Sequence, residues 1–323
     1  MCELIGDISS FGLAGARAPF ASGAGWLKSA RMTSSPFDDI RKLAADAPAA
    51  PISAFDGGDR LAEISAWLTA WTGKTPPVVL RPVVALYAGA RQGVGPRGYA
   101  RDRLEAVAAG GANVCRIAGV QGAGLEAFDL AIDRPTPDAA LGAAMSEKEC
   151  AATMAFGMEA LAKQPDLLIP SVIAAETDRA AGAIALALFG GEAADWSDAP
   201  QPLSAAVVRA AGEGDLSDPL EALRQLGGRE TAALVGAILA ARVQKIPVLL
   251  DGYAACAAAA VLHAIDPALI AHCQAGHVGT AKGHARLLEV LDKRPLINLD
   301  ITEEEGVGGV TALALVRLAC EVR

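Results

Sequence analysis

Aromatic residues are scarce in this chain, 4% of 323, although 52% of it is apolar, with Ala and Gly supplying much of that share. Such a composition predicts helices packed closely through small side chains rather than a core of large rings. No apolar run reaches the roughly 20 residues that cross a bilayer; even 234–250 is interrupted by Arg242 and Lys245, so no membrane partner is expected. The N-terminus carries Glu3 and Asp7 where a secretory leader has basic residues, so the cytoplasm is the expected compartment. Basic clusters are also missing: 28 Lys and Arg are scattered among 37 Asp and Glu, for a net charge of −9. A nucleic-acid partner needs clustered cations and is not expected. The six cysteines form no C-x-x-C pair, which points to reduced, structural thiols. His263, His272, His277 and His284 crowd into one stretch without carboxylates or thiolates at ligand spacing, so no metal site is expected. No G-x-G-x-x-G opens a helix after the first apolar strand, which disfavours a dinucleotide-dependent oxidoreductase.

What is present is an alternation of buried-strand runs with helical stretches. Continuous apolar runs at 78–88, 125–132, 167–174, 246–250, 272–278 and 296–301 read as strands covered on both faces. Helices are expected at 38–45, 60–71, 101–120, 147–162, 178–189, 203–212, 219–226, 230–243, 254–264, 280–291 and 311–321. Ser146 with Glu149 three positions on predicts a capping box, and the first part of 1–76 reads as irregular. The fold class is therefore α/β: a Rossmann-like parallel sheet flanked by helices, with right-handed crossovers. Ligands of such sheets collect at the strands' carboxyl ends, which directs attention to 88–96, 174–179, 251–253 and 276–283. The turn Glu303-Glu304-Glu305, followed by Gly306-Val307-Gly308-Gly309, joins them. Carboxylates beside glycine backbone suit a general base; they equally suit an acidic helix start favoured by the macrodipole.

The order of motifs resembles the nicotinate-nucleotide:dimethylbenzimidazole phosphoribosyltransferases. Gly227-Gly228-Arg229-Glu230, Pro247-Val248-Leu249-Leu250-Asp251-Gly252-Tyr253, the His277–His284 segment and Glu305-Gly306-Val307-Gly308 carry the likeness, which is strongest across 227–320 and weaker at 32–43, 83–94, 100–132 and 144–161. The resemblance implies a large α/β domain, 77–301, and a small helical domain formed from both chain ends, 1–76 plus 302–323. It also implies a homodimer and a cofactor-free transfer of phosphoribose from nicotinate mononucleotide to a benzimidazole base, with Glu305 taking the base's proton. The family's A-D-H-G-V becomes Ala90-Arg91-Gln92-Gly93-Val94, and its glycine-rich phosphate loop becomes Ser171–Arg179, with Val172 at the second carboxylate position. Glu176 is then a candidate for that lost acid, and Arg179, Arg91 and Gln92 for new substrate contacts. Asp251 either orients a ribose hydroxyl or makes a turn. Tyr253 either stacks on an aromatic acceptor or packs, and His277 is either a cleft or a core group. Gly306 and Gly308 let main chain approach the ligand. The alternative function is a catalytically altered or inactive relative that binds a nucleotide or heteroaromatic base.

Overall fold

The structure, a computed structural model, describes the backbone of Cys2–Ile5 and residues 35–322. The elements follow in chain order as β1 (Cys2–Ile5), α1 (Pro36–Ala45), α2 (Arg60–Thr72), β2 (Pro82–Ala88), α3 (Tyr99–Ala108), α4 (Asn113–Gln121), β3 (Gly124–Asp129) and α5 (Glu147–Gly157). Next come β4 (Leu167–Ile173), α6 (Thr177–Phe189), α7 (Ala193–Trp196), α8 (Pro200–Glu213), α9 (Pro219–Leu226), α10 (Arg229–Gln244) and β5 (Val248–Leu250). The chain continues through α11 (Gly252–Ile265), β6 (Cys273–Ala275), β7 (His277–Gly279), α12 (Lys282–Val290), β8 (Ile297–Ile301) and α13 (Val307–Ala319).

Six parallel strands form the main sheet in the order β1-β3-β2-β4-β5-β6. Every residue of β2 and of β4 is buried, because helices cover both faces. Side chains alternate accordingly. Ala85, Tyr87, Leu168 and Val172 enter a core shared with α5, α6 and α8–α11, while Val84, Leu86, Ile169 and Ile173 enter one shared with α2, α3, α4 and α13. Helix α10 is buried almost throughout, as a helix with apolar residues on every face must be. It lies against α5 at a separation that only glycine permits: a Cβ on Gly236 would overlap the Met154 carbonyl, and one on Gly157 the Ala233 carbonyl. Small residues here do the work that large rings do in other cores.

Several elements depart from the sequence reading. Cys2–Ile5, expected to be irregular, pair in parallel with β3 at the sheet edge; the Gly- and Ser-containing stretch that follows lies outside the described residues. The run 272–278 divides at Gly276, so β6 ends the main sheet while β7 pairs with β8 in a separate two-stranded sheet. The glycine interruption read within 101–120 is a full break into two helices at Gly110-Gly111, where Gly110 takes a positive φ of 74°. Ser146 caps α5 through the Glu149 amide at 3.2 Å. The reciprocal half of the capping box is replaced, because the Glu149 carboxylate pairs with Arg229 at 2.6 Å. Among the described residues no helix is long and apolar enough to cross a membrane, and the five cysteines whose side chains are described are free thiols.

Candidate functional site

The site is assembled where the main-sheet strands end and the acidic turn crosses them. Asp251 follows β5, is fully buried, and accepts hydrogen bonds from Ser171 Oγ at 2.6 Å, Gly306 N at 2.8 Å and Gly309 N at 2.5 Å. A carboxylate thus sits at the amino end of α13, where main-chain N–H groups and the helix dipole favour it. His277 Nε2 lies 3.5 Å from Asp251 Oδ1. Burial pushes the Asp251 carboxyl up, but His277, Ser171 and the Gly309 amide outweigh it and hold it below the usual range. Burial opposes charge on His277 too, yet Asp251 and Glu304 raise its pKa. Gly308 is needed for this contact, since a Cβ there would overlap the His277 ring. Gly306 has φ 88°, a left-handed conformation that places its amide on Asp251. Asp251 therefore anchors the turn from beneath.

That anchoring fixes Glu305. Its own φ is 54°, uncommon for a residue with a side chain, and it is only 4% exposed. Arg103, on α3, grips both carboxylate oxygens in a fork, Nε to Oε1 at 2.8 Å and Nη2 to Oε2 at 2.5 Å, and Nη2 also reaches Glu303 at 2.6 Å. These hydrogen bonds, with Glu305 leading, raise the Arg103 pKa against the opposing effect of burial. Tyr99 Oη stands 3.5 Å from Glu305 Oε1. Neighbouring Glu304 ties two helix starts together: Oε1 accepts from Tyr253 N at 3.1 Å at the start of α11, and Oε2 from the Thr177 hydroxyl at 2.6 Å at the start of α6. Burial, reinforced by Asp251, raises its pKa.

Two adjoining cavities meet at Tyr99 and Ala174 and differ in charge. The first, about 390 Å3, has Glu176, Asp178, Asp198, Glu303, Glu304 and Glu305 on its walls with His277 and His284, and no Lys or Arg among the described residues. The second, about 650 Å3, is bounded by the loop 89–98 and the first turn of α3, and among the described residues carries Arg91, Arg97 and Arg101 against Asp133 alone. An acid-lined chamber stabilises a cationic reaction centre, and an arginine-lined one suits a phosphate or carboxylate.

Of the residues singled out from sequence, Glu305, Glu176, Tyr253 and His277 border the acidic cavity, and Arg91 and Gln92 border the basic one. Asp251, Gly306 and Gly308 lie beneath. Arg91 is largely committed, in a buried ion pair with Glu230. Gln92 is exposed, its backbone N–H bonded to Thr136 O at 2.8 Å and its side-chain Nε2 3.5 Å from Pro135 O. Tyr253 is 1% exposed, bonded to Trp196 O at 3.1 Å and stacked on His284 with centroids 5.7 Å apart. Glu176, at φ 48°, makes a half-exposed pair with Arg179 at 3.1 Å. Arg179 is not brought to either large cavity; it reaches Asp138 at 3.5 Å and lines a small cleft beyond. Val172 stands in the acidic cavity's wall. Arg103, Tyr99, Thr177 and Ser171 were not singled out by the sequence reading, and Glu304 only as one of the three carboxylates of the turn. Arg103 and Tyr99 share a face of α3 at i, i+4 spacing, but their partner lies 202 residues from Arg103, and nothing local signals it.

A sequence model of the family described as Phosphoribosyltransferase matches residues 55–323; the weak likeness at 32–43 falls outside it. Proteins named nicotinate-nucleotide--dimethylbenzimidazole phosphoribosyltransferase, from Sinorhizobium fredii (strain NBRC 101917 / NGR234) and Rhizobium etli (strain CIAT 652), are 45% and 44% identical over 314 residues. Each comparison covers 88% of this chain and 93% of the relative. The crystal structure of a nicotinate-nucleotide-dimethylbenzimidazole phosphoribosyltransferase from Thermus thermophilus superposes with a TM-score of 0.76 at 26% identity, covering 88% of this chain and 94% of that one. The family match takes in both cavities and the turn between them, and the chain belongs to this phosphoribosyltransferase family.

Proposed function

We propose that the protein transfers phosphoribose from nicotinate mononucleotide to a benzimidazole-type base, giving the α-ribazole phosphate used as a cobamide lower ligand. The observation that carries this reading is a buried carboxylate, Glu305, held in one orientation by Arg103 at the wall of an acid-lined cavity. The glycosidic C–N bond of the nucleotide breaks, its electron pair leaves with nicotinate, and one nitrogen of the base bonds to C1′ of the ribose. The base's other nitrogen then carries an acidic proton, which passes to Glu305. The nitrogen becomes acidic only as the new bond forms, so the proton leaves late in the step. The remaining acids favour the positive charge that develops on the ribose as nicotinate departs.

The same reading takes the enzyme as a cytoplasmic homodimer, with 77–301 as its large domain and a small helical domain drawn from 1–76 and 302–323. Packing of α2 against α13 supports joining the chain ends. Val172 favours a second reading, in which a relative with altered or lost catalysis binds a nucleotide or heteroaromatic base. Mixing the full-length protein with nicotinate mononucleotide and dimethylbenzimidazole separates the two. Chromatographic appearance of nicotinate and α-ribazole phosphate in equal amounts supports transfer. Calorimetric binding of both compounds with no product removes it and leaves the second reading.

A further inference from the structure

We propose that Glu304 is a built-in plug: its carboxylate fills an oxyanion nest where α6 and α11 begin, and the phosphate of the nucleotide enters that nest only when Glu304 leaves it. The proposal rests on the transferase reading for the nucleotide's identity, while the nest itself stands on geometry. Helices α6 and α11, of 13 and 14 residues, bring their amino ends together at the 390 Å3 cavity. Neither Glu176 nor Asp251, the residues before them, caps its helix through a side chain. Glu304 arrives instead from the acidic turn, 51 residues beyond Tyr253, and accepts from Tyr253 N at 3.1 Å and Thr177 Oγ1 at 2.6 Å. Gly252, at φ 76°, leaves it room, since a Cβ there would press on the carboxylate.

The carboxylate sits as a bound anion would. No Lys or Arg among the described residues borders the cavity to offset its charge. It is held by main-chain and hydroxyl donors at two positive helix ends, and a phosphate oxygen accepts from such donors equally well. Glu304 is partly exposed and borders the cavity, which leaves it a way out. On the same wall the His277 ring is 1% exposed, and its Nδ1 has no hydrogen-bond partner among the described residues. The ring is near enough to Glu304 for their charges to interact. A phosphate has more oxygens than a carboxylate, so it can take up the donors at both helix starts and approach this ring as well.

Calorimetric titration of the full-length protein tests this with nicotinate mononucleotide, nicotinate riboside and inorganic phosphate. A ligand whose site is open only part of the time binds more weakly in proportion to the open fraction. Glu304→Ala opens the nest permanently and is expected to tighten nucleotide and inorganic phosphate about 10- to 100-fold, as an open fraction of about 1–10% implies, while the riboside stays within about twofold. Glu304→Gln keeps the side chain's size and its bond from Tyr253 N but loses the charge, and is expected to gain about three- to tenfold. Should circular dichroism show Glu304→Ala unfolded, the glutamine variant decides. Unchanged or weaker binding of both phosphate-bearing probes in the folded variants overturns the proposal. So does an equal gain for the riboside, which would put another part of the ligand at Glu304. Tighter inorganic phosphate without nucleotide binding upholds the plug and removes the transferase reading; nucleotide turnover with an affinity indifferent to Glu304 does the reverse.

Discussion

Replacing Arg103 by Met tests how Glu305 is held. Arg103 is 32% exposed and Glu305 5% at the side chain, with both carboxylate oxygens in the fork. Without it, the buried carboxylate keeps, among the described residues, only the Tyr99 hydroxyl at 3.5 Å, a marginal hydrogen bond. Removing one partner of a fully buried pair costs about 3–5 kcal/mol, and a surface pair is worth about 0–1 kcal/mol. This pair has one partner buried and one partly solvated, so we expect a loss of about 2 kcal/mol. At about 2.1 cal/mol/K per residue over 323 residues, that lowers the unfolding midpoint by about 3 °C. A double-mutant cycle with Glu305→Gln isolates the pair from general effects, and the coupling is expected at about 1.5–2 kcal/mol, read from urea unfolding. Turnover in the Arg103→Met single variant is expected to fall about 10- to 100-fold, because a mobile base spends little time in line with the acceptor's proton. A coupling below about 0.5 kcal/mol refutes the reasoning, since the fork would then contribute no more than an exposed pair.

Three further outcomes follow from the packing beneath the site. Gly308→Ala drives a methyl group into the His277 ring and is expected to cost about 1–3 kcal/mol in urea unfolding, as overpacked cores do; an unchanged midpoint would mean that the ring and the helix start are farther apart than described. Asp251→Asn removes the charge facing His277 and weakens the acceptor for Gly306 and Gly309, so the His277 imidazole, followed by NMR, should titrate at lower pH than in the parent; an unmoved titration removes Asp251 as its partner. Burial holds His272 and His284 down to about 3, so both are neutral in the fold, and below their unfolded value of about 6.5 the unfolded chain takes up protons that the folded one refuses. Stability at those two positions is therefore lost as pH falls. His277, with its raised pKa, acts in the opposite sense: its contribution is complete below about 6.5 and is lost as pH rises through its folded value. His272 and His284 together cost about 2 kcal/mol between about pH 6.5 and 5.5, His263, also lowered by burial, acts in the same direction and His277 offsets a part, so His284→Gln should remove about 1 kcal/mol of the loss. A flat profile over that interval counts against the buried, neutral state of these rings.

The sequence made the framework legible wherever a signal was local. The apolar runs became β2 and β4 because only strands covered on both faces tolerate them, and Pro219–Leu226 formed between the bounds its Asp218 cap and the following Gly227 set. The small-residue composition reappears in the closeness of α5 and α10. What escaped was non-local. Cys2–Ile5 becomes a strand by pairing with β3, more than a hundred residues on. The single run 272–278 hides a change of sheet at Gly276, whose amide bonds the Leu250 carbonyl at 2.9 Å. Glu305 stood out through its glycines, but Arg103 did not, since an arginine on an exposed-looking helix carries no mark of a partner across the fold. Arg179 shows the converse. Its position at a helix start suggested a ligand contact, yet Glu176 and Asp138 were near enough to claim it.

The central claim is that Glu305 accepts a proton during phosphoribosyl transfer, and steady-state release of nicotinate by Glu305→Gln tests it most directly. The amide keeps the size of the side chain and part of its bond to Arg103, so substrate affinity is expected to hold within about threefold while turnover falls about 100-fold or more. Turnover equal to that of the unsubstituted enzyme would contradict the account and leave the carboxylate as an anchor for Arg103.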